Sequence, residues 1–189
     1  MYFKISGDIG GEPNVTMKKL NNESAMIRSG RLITDQAKAY IMELPFRFAM
    51  KVRRNDDGTR QNPRFMAYYE ATQLMQKRLF EALQRAGVDN LQSFPAVLSE
   101  DGVETPTQDY VVVNVVGTVA CASVSESDSI PFADRLFFND LVIDASKTNG
   151  LLMFRLAESL MDVLVHESVA EQLIKGDFPH LIITPLKQG

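Results

Sequence analysis

One pattern occurs twice, and it constrains this chain more than any other feature. Residues 165–186 (VHESVAEQLIKGDFPHLIITPL) read as a strand end, a helix and a second strand that stops at Pro185. Ninety positions upstream, residues 75–98 (MQKRLFEALQRAGVDNLQSFPAVL) follow the same grammar. Laid side by side, Leu79 faces Val169, Glu81 faces Glu171, Leu83 faces Leu173, Leu91 faces Leu181 and Pro95 faces Pro185. A duplicated unit would give this, and so would a helix-then-strand pattern arising twice independently.

The upstream helix is predicted over 72–86. Met75, Leu79, Leu83 and Ala86 form a stripe at helical spacing, widened by Phe80 and Ala82. Gly87 is placed to close the helix in a left-handed conformation, and Gly176 to stop the second helix in the same way. The second helix is expected at about 166–175. Its start is open between Val165-His166 and a capping box formed by Ser168 and Glu171.

Around these units the pattern is mostly strand. Tyr2–Ser6 reads as a short strand, and the GDIGG that follows lacks phosphate-loop spacing and is expected to turn. Leu32-Ile33 suggests another short strand. Thr34 can cap a helix over 35–43 that Pro45 ends. Phe46, Phe48, Met50 and Val52 alternate with polar residues, as in a half-buried strand. Arg53, Arg54, Arg60 and Arg64 surround the Asp57-Gly58 turn, and a solvated hairpin tip is favoured because no aromatics interleave them. Pro95 predicts an edge strand or a strand end over 91–98.

DYVVVNVVGTVACASV (109–124) is apolar on both faces of a strand, with Val111, Val113 and Val115 opposing Val112 and Val116. Such a strand belongs in the centre of a sheet covered on both sides. Asn114 there is expected to be a satisfied core amide, and Cys121 to continue the strand as a small apolar residue. Leu136–Asp144 reads as a further strand, with a turn possible at Asn139-Asp140. Strands outnumber helices without strict alternation. The expected fold is α+β: a mixed or mainly antiparallel sheet with a few packed helices. At 189 residues the chain is expected to be a single domain, 1–189, with no disulfide from its single cysteine. Without an apolar span or a signal segment, a cytoplasmic protein is expected.

Charge is uneven. Residues 1–99 carry a net +5, whereas residues 100–144 hold nine acids against Arg135 alone, a net of −8. An acidic stretch of this kind suits a basic protein partner better than nucleic acid, though clustered surface loops would also produce it. Catalytic spacing is missing. His166 and His180 fall in different predicted elements, and no zinc, P-loop or nucleophile-elbow motif occurs.

Several segments carry a family resemblance: DYVVVNVVGTVACA, LFFNDLVID, LMFRLAES, VLVHESVAEQL and LIITPL, together with LMQKRLFEALQRAGVDNLQSFPAVL upstream. They resemble a bacterial immunity-protein family, the eleventh-numbered class of polymorphic toxin systems, formerly a domain of unknown function. The resemblance covers about 65–186, so residues 1–64 form a less recognisable part beside a family-like core at 65–189. Asn114 and Phe154-Arg155 are its most distinctive positions. The pattern expects a small hydroxyl cap at 166, where this chain has a histidine.

The resemblance implies a cytoplasmic antidote that binds one cognate toxin domain and blocks it, without turnover or cofactor. Homo-oligomers are compatible with that role. Membrane and nucleic acid are not expected partners. From the charge block, the toxin-binding acids are expected to be Glu100, Asp101, Glu104, Asp109, Glu126, Asp128 and Asp134. A non-catalytic ligand-binding or regulatory module with a pocket between two halves is the alternative, and a small enzyme of unknown type the third.

Overall fold

The computed structural model of the protein describes residues 1–8, 15–17, 22–41, 43–51, 54–59, 65–100, 107–133 and 135–189. Most of the GDIGG segment expected to turn, Val52 of the expected strand, and Arg53, Arg60 and Arg64 lie outside these. In chain order the first half contains β1 (Tyr2–Gly7), β2 (Val15–Met17), α1 (Asn22–Arg28), α2 (Asp35–Ile41), β3 (Phe46–Met50), β4 (Tyr68–Tyr69), β5 (Leu74–Gln76), α3 (Lys77–Arg85) and β6 (Leu91–Glu100). The second half contains β7 (Tyr110–Val115), β8 (Thr118–Val119), β9 (Asp128–Phe132), β10 (Arg135–Asp140), β11 (Val142–Ile143), β12 (Met153–Leu156), β13 (Val163–His166), α4 (Glu167–Lys175), β14 (Leu181–Pro185) and β15 (Lys187–Gln188). The fold is α+β, with mixed and mostly antiparallel sheets.

The repeated pattern folds into repeated structure. One sheet runs β2-β3-β6-β7-β5-β4, the other β14-β1-β13-β12-β8. In each, a helix joins two parallel strands that hold an antiparallel strand between them: β5-α3-β6 around β7, and β13-α4-β14 around β1. The registers agree. Val111 pairs with Met75 and Pro95, as Phe3 pairs with Val165 and Pro185. Val115 faces Leu91 as Gly7 faces Leu181. The fourth strands also correspond, since Tyr68 pairs with Met75 and Met153 with Val165. Even the strand exits match: Val116 N–H donates to Asn90 O and Asp8 N–H to His180 O, both at 2.8 Å.

The units pack reciprocally. Strand β1 lies against β4, its counterpart β7 against β12, and α3 against α4. Between them sits a shared core of Ile5, Met75, Leu79, Leu83, Val111, Val113, Val115, Val163, Val165, Val169 and Leu173. Each sheet also has a covered outer face. Ile27, Ile33, Phe46, Phe48 and Met50 pack with Phe94, Leu98, Tyr110 and Val112 on one side. Cys121, Phe138, Leu141 and Ile143 pack with Tyr2, Phe154, Leu156 and Leu164 on the other. Strand β7 is therefore buried at every residue, as its two-faced apolar pattern requires.

Several expectations are corrected. Helix α3 begins at Lys77, because Leu74–Gln76 are taken into the ladder with β7, so Met75 is a strand residue in the same core. Tertiary pairing overrides local helix propensity there. Pro95 lies inside a ten-residue strand. Residues 91–95 pair with β7, whereas pairing with β3 starts at Ala96, so the proline stands where the strand changes neighbours and needs no second donor. Leu32-Ile33 is not a strand; Gln92 holds Ile33 by both backbone groups, accepting from its N–H at 2.8 Å and donating to its C=O at 2.9 Å. Cys121 does not continue β7, because Gly117 (φ +111°) turns the chain into the other sheet. A bulge between Phe138 and Asp140, rather than a turn at Asn139-Asp140, marks β10. Finally Gly176 keeps a right-handed conformation, and Asp177 (φ +45°) occupies the left-handed position that Gly87 (φ +90°) fills in the first unit.

Candidate interaction surface and inter-unit polar cluster

Of the seven acids expected at a partner surface, the four among the described residues fall on two parts of the fold. Glu100 ends β6, paired with Met50, and Asp109 is exposed just before β7. Glu126 and Asp128 are exposed in the turn before β9 and at its start. Asp101, Glu104 and Asp134 lie outside the described residues.

Asp128 shares its face with residues the charge pattern did not single out. Strands β9 and β10 form a two-stranded hairpin in which Phe132 faces Arg135, Ile130 faces Phe137 and Pro131 faces Leu136. Side chains alternate across a strand, so Asp128, Ile130, Phe132, Arg135 and Phe137 project from one face. Leu136 and Phe138 project from the other, into the third core cluster. On the outer face Ile130 is 53% exposed, Phe132 74% and Phe137 57%. Asn139 Nδ2 donates to Asp128 Oδ2 at 3.3 Å along the same face. Apolar residues at 130, 132 and 137 were visible in the sequence, but alternation says only that one face is apolar. Here both are.

A second polar arrangement lies where equivalent turns of the two units meet. Arg155 is fully buried. Its Nη1 donates to Leu160 O at 2.9 Å, and its Nη2 donates to Gln73 Oε1, which also accepts from the Tyr68 hydroxyl at 3.2 Å. Gln73 holds a left-handed backbone (φ +56°) and donates from Nε2 to Glu70 O at 2.5 Å. Arg155 Nε has no partner among the described residues. Lys4 forms an ion pair with the buried Asp162 beside this group. Burial pushes the Glu70 carboxyl up to about 7, with Asp162 adding to the rise while Lys4 and Arg155 oppose it. Burial likewise raises the Tyr68 phenol and lowers Arg155. A charge buried this deeply requires such partners. Arg155 was distinctive in the sequence; Gln73 and Glu70 were not, because their roles depend on the other unit.

The remaining polar candidates are structural. Asn114 Nδ2 donates to Arg31 O at 2.8 Å and to Gln92 Oε1 at 3.0 Å, tying the segment before α2 to the sheet. His166 is the N-cap of α4, its Nδ1 accepting from Ser168 N–H at 3.3 Å, and its ring meets Tyr2 edge-on. It takes the capping part expected of a hydroxyl residue, so the helix starts at Glu167 and no capping box forms at Ser168. Cys121 is buried and its thiol is pushed up to about 11, chiefly by burial and then by Glu158, which disfavours the reactive thiolate. Among the described residues no group of three or more His, Cys, Asp or Glu side chains could hold a metal ion. No described helix is long and apolar enough to cross a membrane.

No curated protein matches the chain. A family model does, over residues 1–180, and so takes in the first 64 residues on which the resemblance did not rest. That match spans the whole first repeated unit and all of the second except β14, and the chain belongs to the immunity protein family Imm11.

Proposed function

We propose that the protein neutralises a cognate toxin domain by binding it directly, without turning over a substrate. Membership of an immunity-protein family carries this reading. Two rigid units locked through a common core suit it, because a preorganised surface loses little entropy on association. The partner is a basic toxin domain, met by the acidic stretch that includes Asp109, Glu126 and Asp128 and, by sequence, Glu100, Asp101, Glu104 and Asp134. Opposed charge of that kind raises the association rate and selects the partner.

The test is co-expression with the toxin domain encoded by the adjacent gene. Cells carrying the neighbour alone should die, cells carrying both should survive, and the two proteins should purify together. Death of cells carrying both would sink the reading. Reversing Asp109, Glu126 and Asp128 to lysine should slow association and flatten its dependence on salt. An unchanged rate would remove the acids from the surface.

A further inference from the structure

We infer that the outer face of the β9–β10 hairpin is the centre of the toxin-binding surface, with Ile130, Phe132 and Phe137 as its apolar anchors and Asp128 at its rim. The inference rests on the neutralisation reading above.

A two-stranded ribbon that seats one face on a core normally leaves a polar face to water. This one seats Leu136 and Phe138 inward and still carries three large apolar side chains outward. Ile130 and Phe137 are directly paired across the strands, and Phe132 lies two residues along the same face, so the three form one patch rather than scattered exposures. Contiguous apolar exposure without a partner is an aggregation hazard, which is why it marks interaction sites.

The setting identifies the occupant. The patch lies within a sequence stretch of net charge −8, of which Asp128 and Glu126 stand at the hairpin, while Arg135 pairs with Phe132 and Asp140 is ion-paired with Lys187. Asp128 shares the apolar face, and Glu126 is exposed in the turn that leads into it. An apolar centre with a charged rim is the usual anatomy of a protein interface, and aromatic anchors dominate its energy. The complementary partner is a protein surface with an apolar cleft and a basic border. The hairpin belongs to the outer cover of its unit, not to the repeated strands, so it can be shaped to one partner without disturbing either ladder.

The experiment uses the full chain and the toxin domain of the adjacent gene, measuring affinity, survival and the mass of the free protein in solution. Phe132→Ser should weaken toxin binding by at least ~30-fold, the loss typical of an interface hot spot. The triple variant Ile130→Ser, Phe132→Ser, Phe137→Ser should abolish protection. Ile174→Ser, which changes an equally exposed residue on α4, should change neither. Melting curves of Phe132→Ser should match wild type, since that side chain is mostly in water. If wild type protects and the triple variant protects equally, the hairpin is not the site, although neutralisation stands. If wild type neither binds nor protects, the functional reading fails and takes this inference with it. If the triple variant converts a wild-type dimer to a monomer while toxin affinity holds, the face belongs to a second copy, and the inference is overturned.

Discussion

In the first unit the strand after the helix runs on past its proline: β6 pairs with β7 up to Pro95, then gains β3 as a neighbour from Ala96 to Glu100. In the second unit the equivalent strand stops at Pro185, and the sheet grows instead at its other edge, where β8 joins β12. The two units share four strands, one helix and their register, and differ in what covers them. Even the central tyrosines agree, since Tyr110 donates its hydroxyl to Met66 O and Tyr2 to Leu151 O, both at 3.0 Å. The repeated part makes the common core; the unrepeated part supplies the outer covers of the two sheets, including the exposed hairpin. Adaptation to a partner can therefore proceed in the covers while the ladders stay fixed.

The units differ most sharply at their junction, where Glu70 in one stands at the position that Arg155 occupies in the other. Arg155→Ala should be the most damaging single change, with a loss of about 3–5 kcal/mol, because it strands Leu160 O and the polar group around Gln73 in a dry interior. Arg155→Met should recover much of that, as apolar replacements of buried ions do. Urea unfolding measures both. A loss below 1 kcal/mol for Arg155→Ala would mean that the junction does not hold the units together.

Equivalent core positions test whether the units fold as one. Leu83→Ala and Leu173→Ala remove matching buried leucines from α3 and α4. Each should cost about 2–4 kcal/mol and shift a single unfolding transition seen by all probes. Two transitions, each sensitive to one substitution, would show separable units and weaken the case for a shared core.

The repeated units were legible in the sequence because helix stripes and β-strand runs survive as local patterns. The ninety-residue alignment put Leu79 on Val169 and Pro95 on Pro185, and the structure keeps both pairings in equivalent places. What failed depended on long-range pairing. Met75 fits a helix stripe until β7 claims it, and Pro95 looks like an edge residue until the two half-ladders on either side are known. The candidate surface was legible only as charge. The apolar hairpin face was hidden because Ile130, Phe132 and Phe137 look the same in sequence whether they face a core or water.

Glu70 separates the units through pH. Its carboxyl is held at about 7 against an ordinary value of 4.5, so the folded state favours the protonated form. The sign follows: its contribution is fully present below pH 4.5 and is lost as pH rises through about 7. Glu70→Gln should therefore stabilise the protein by about 2 kcal/mol at pH 8 and by little at pH 5, read from denaturation at the two values. Equal effects at both would place the Glu70 carboxyl in an ordinary solvated setting.

The smallest expected effect tests the helix starts. Helix α4 is capped by the His166 side chain, while its counterpart Gln76 has the same extended backbone and makes no side-chain cap. His166→Ala should lose about 1 kcal/mol, the usual worth of an N-cap, whereas Gln76→Ala should lose less than that from capping. His166→Ser should restore the cap, because a hydroxyl oxygen can accept from the same Ser168 N–H. It would not restore the edge-on contact with Tyr2, whose ring centroid lies 5.3 Å from the histidine ring. Full rescue by serine would assign the role of His166 to capping alone. Partial rescue would divide it between the helix end and the tyrosine, a contact the first unit lacks because Gln76 instead donates to the Tyr110 hydroxyl at 3.3 Å.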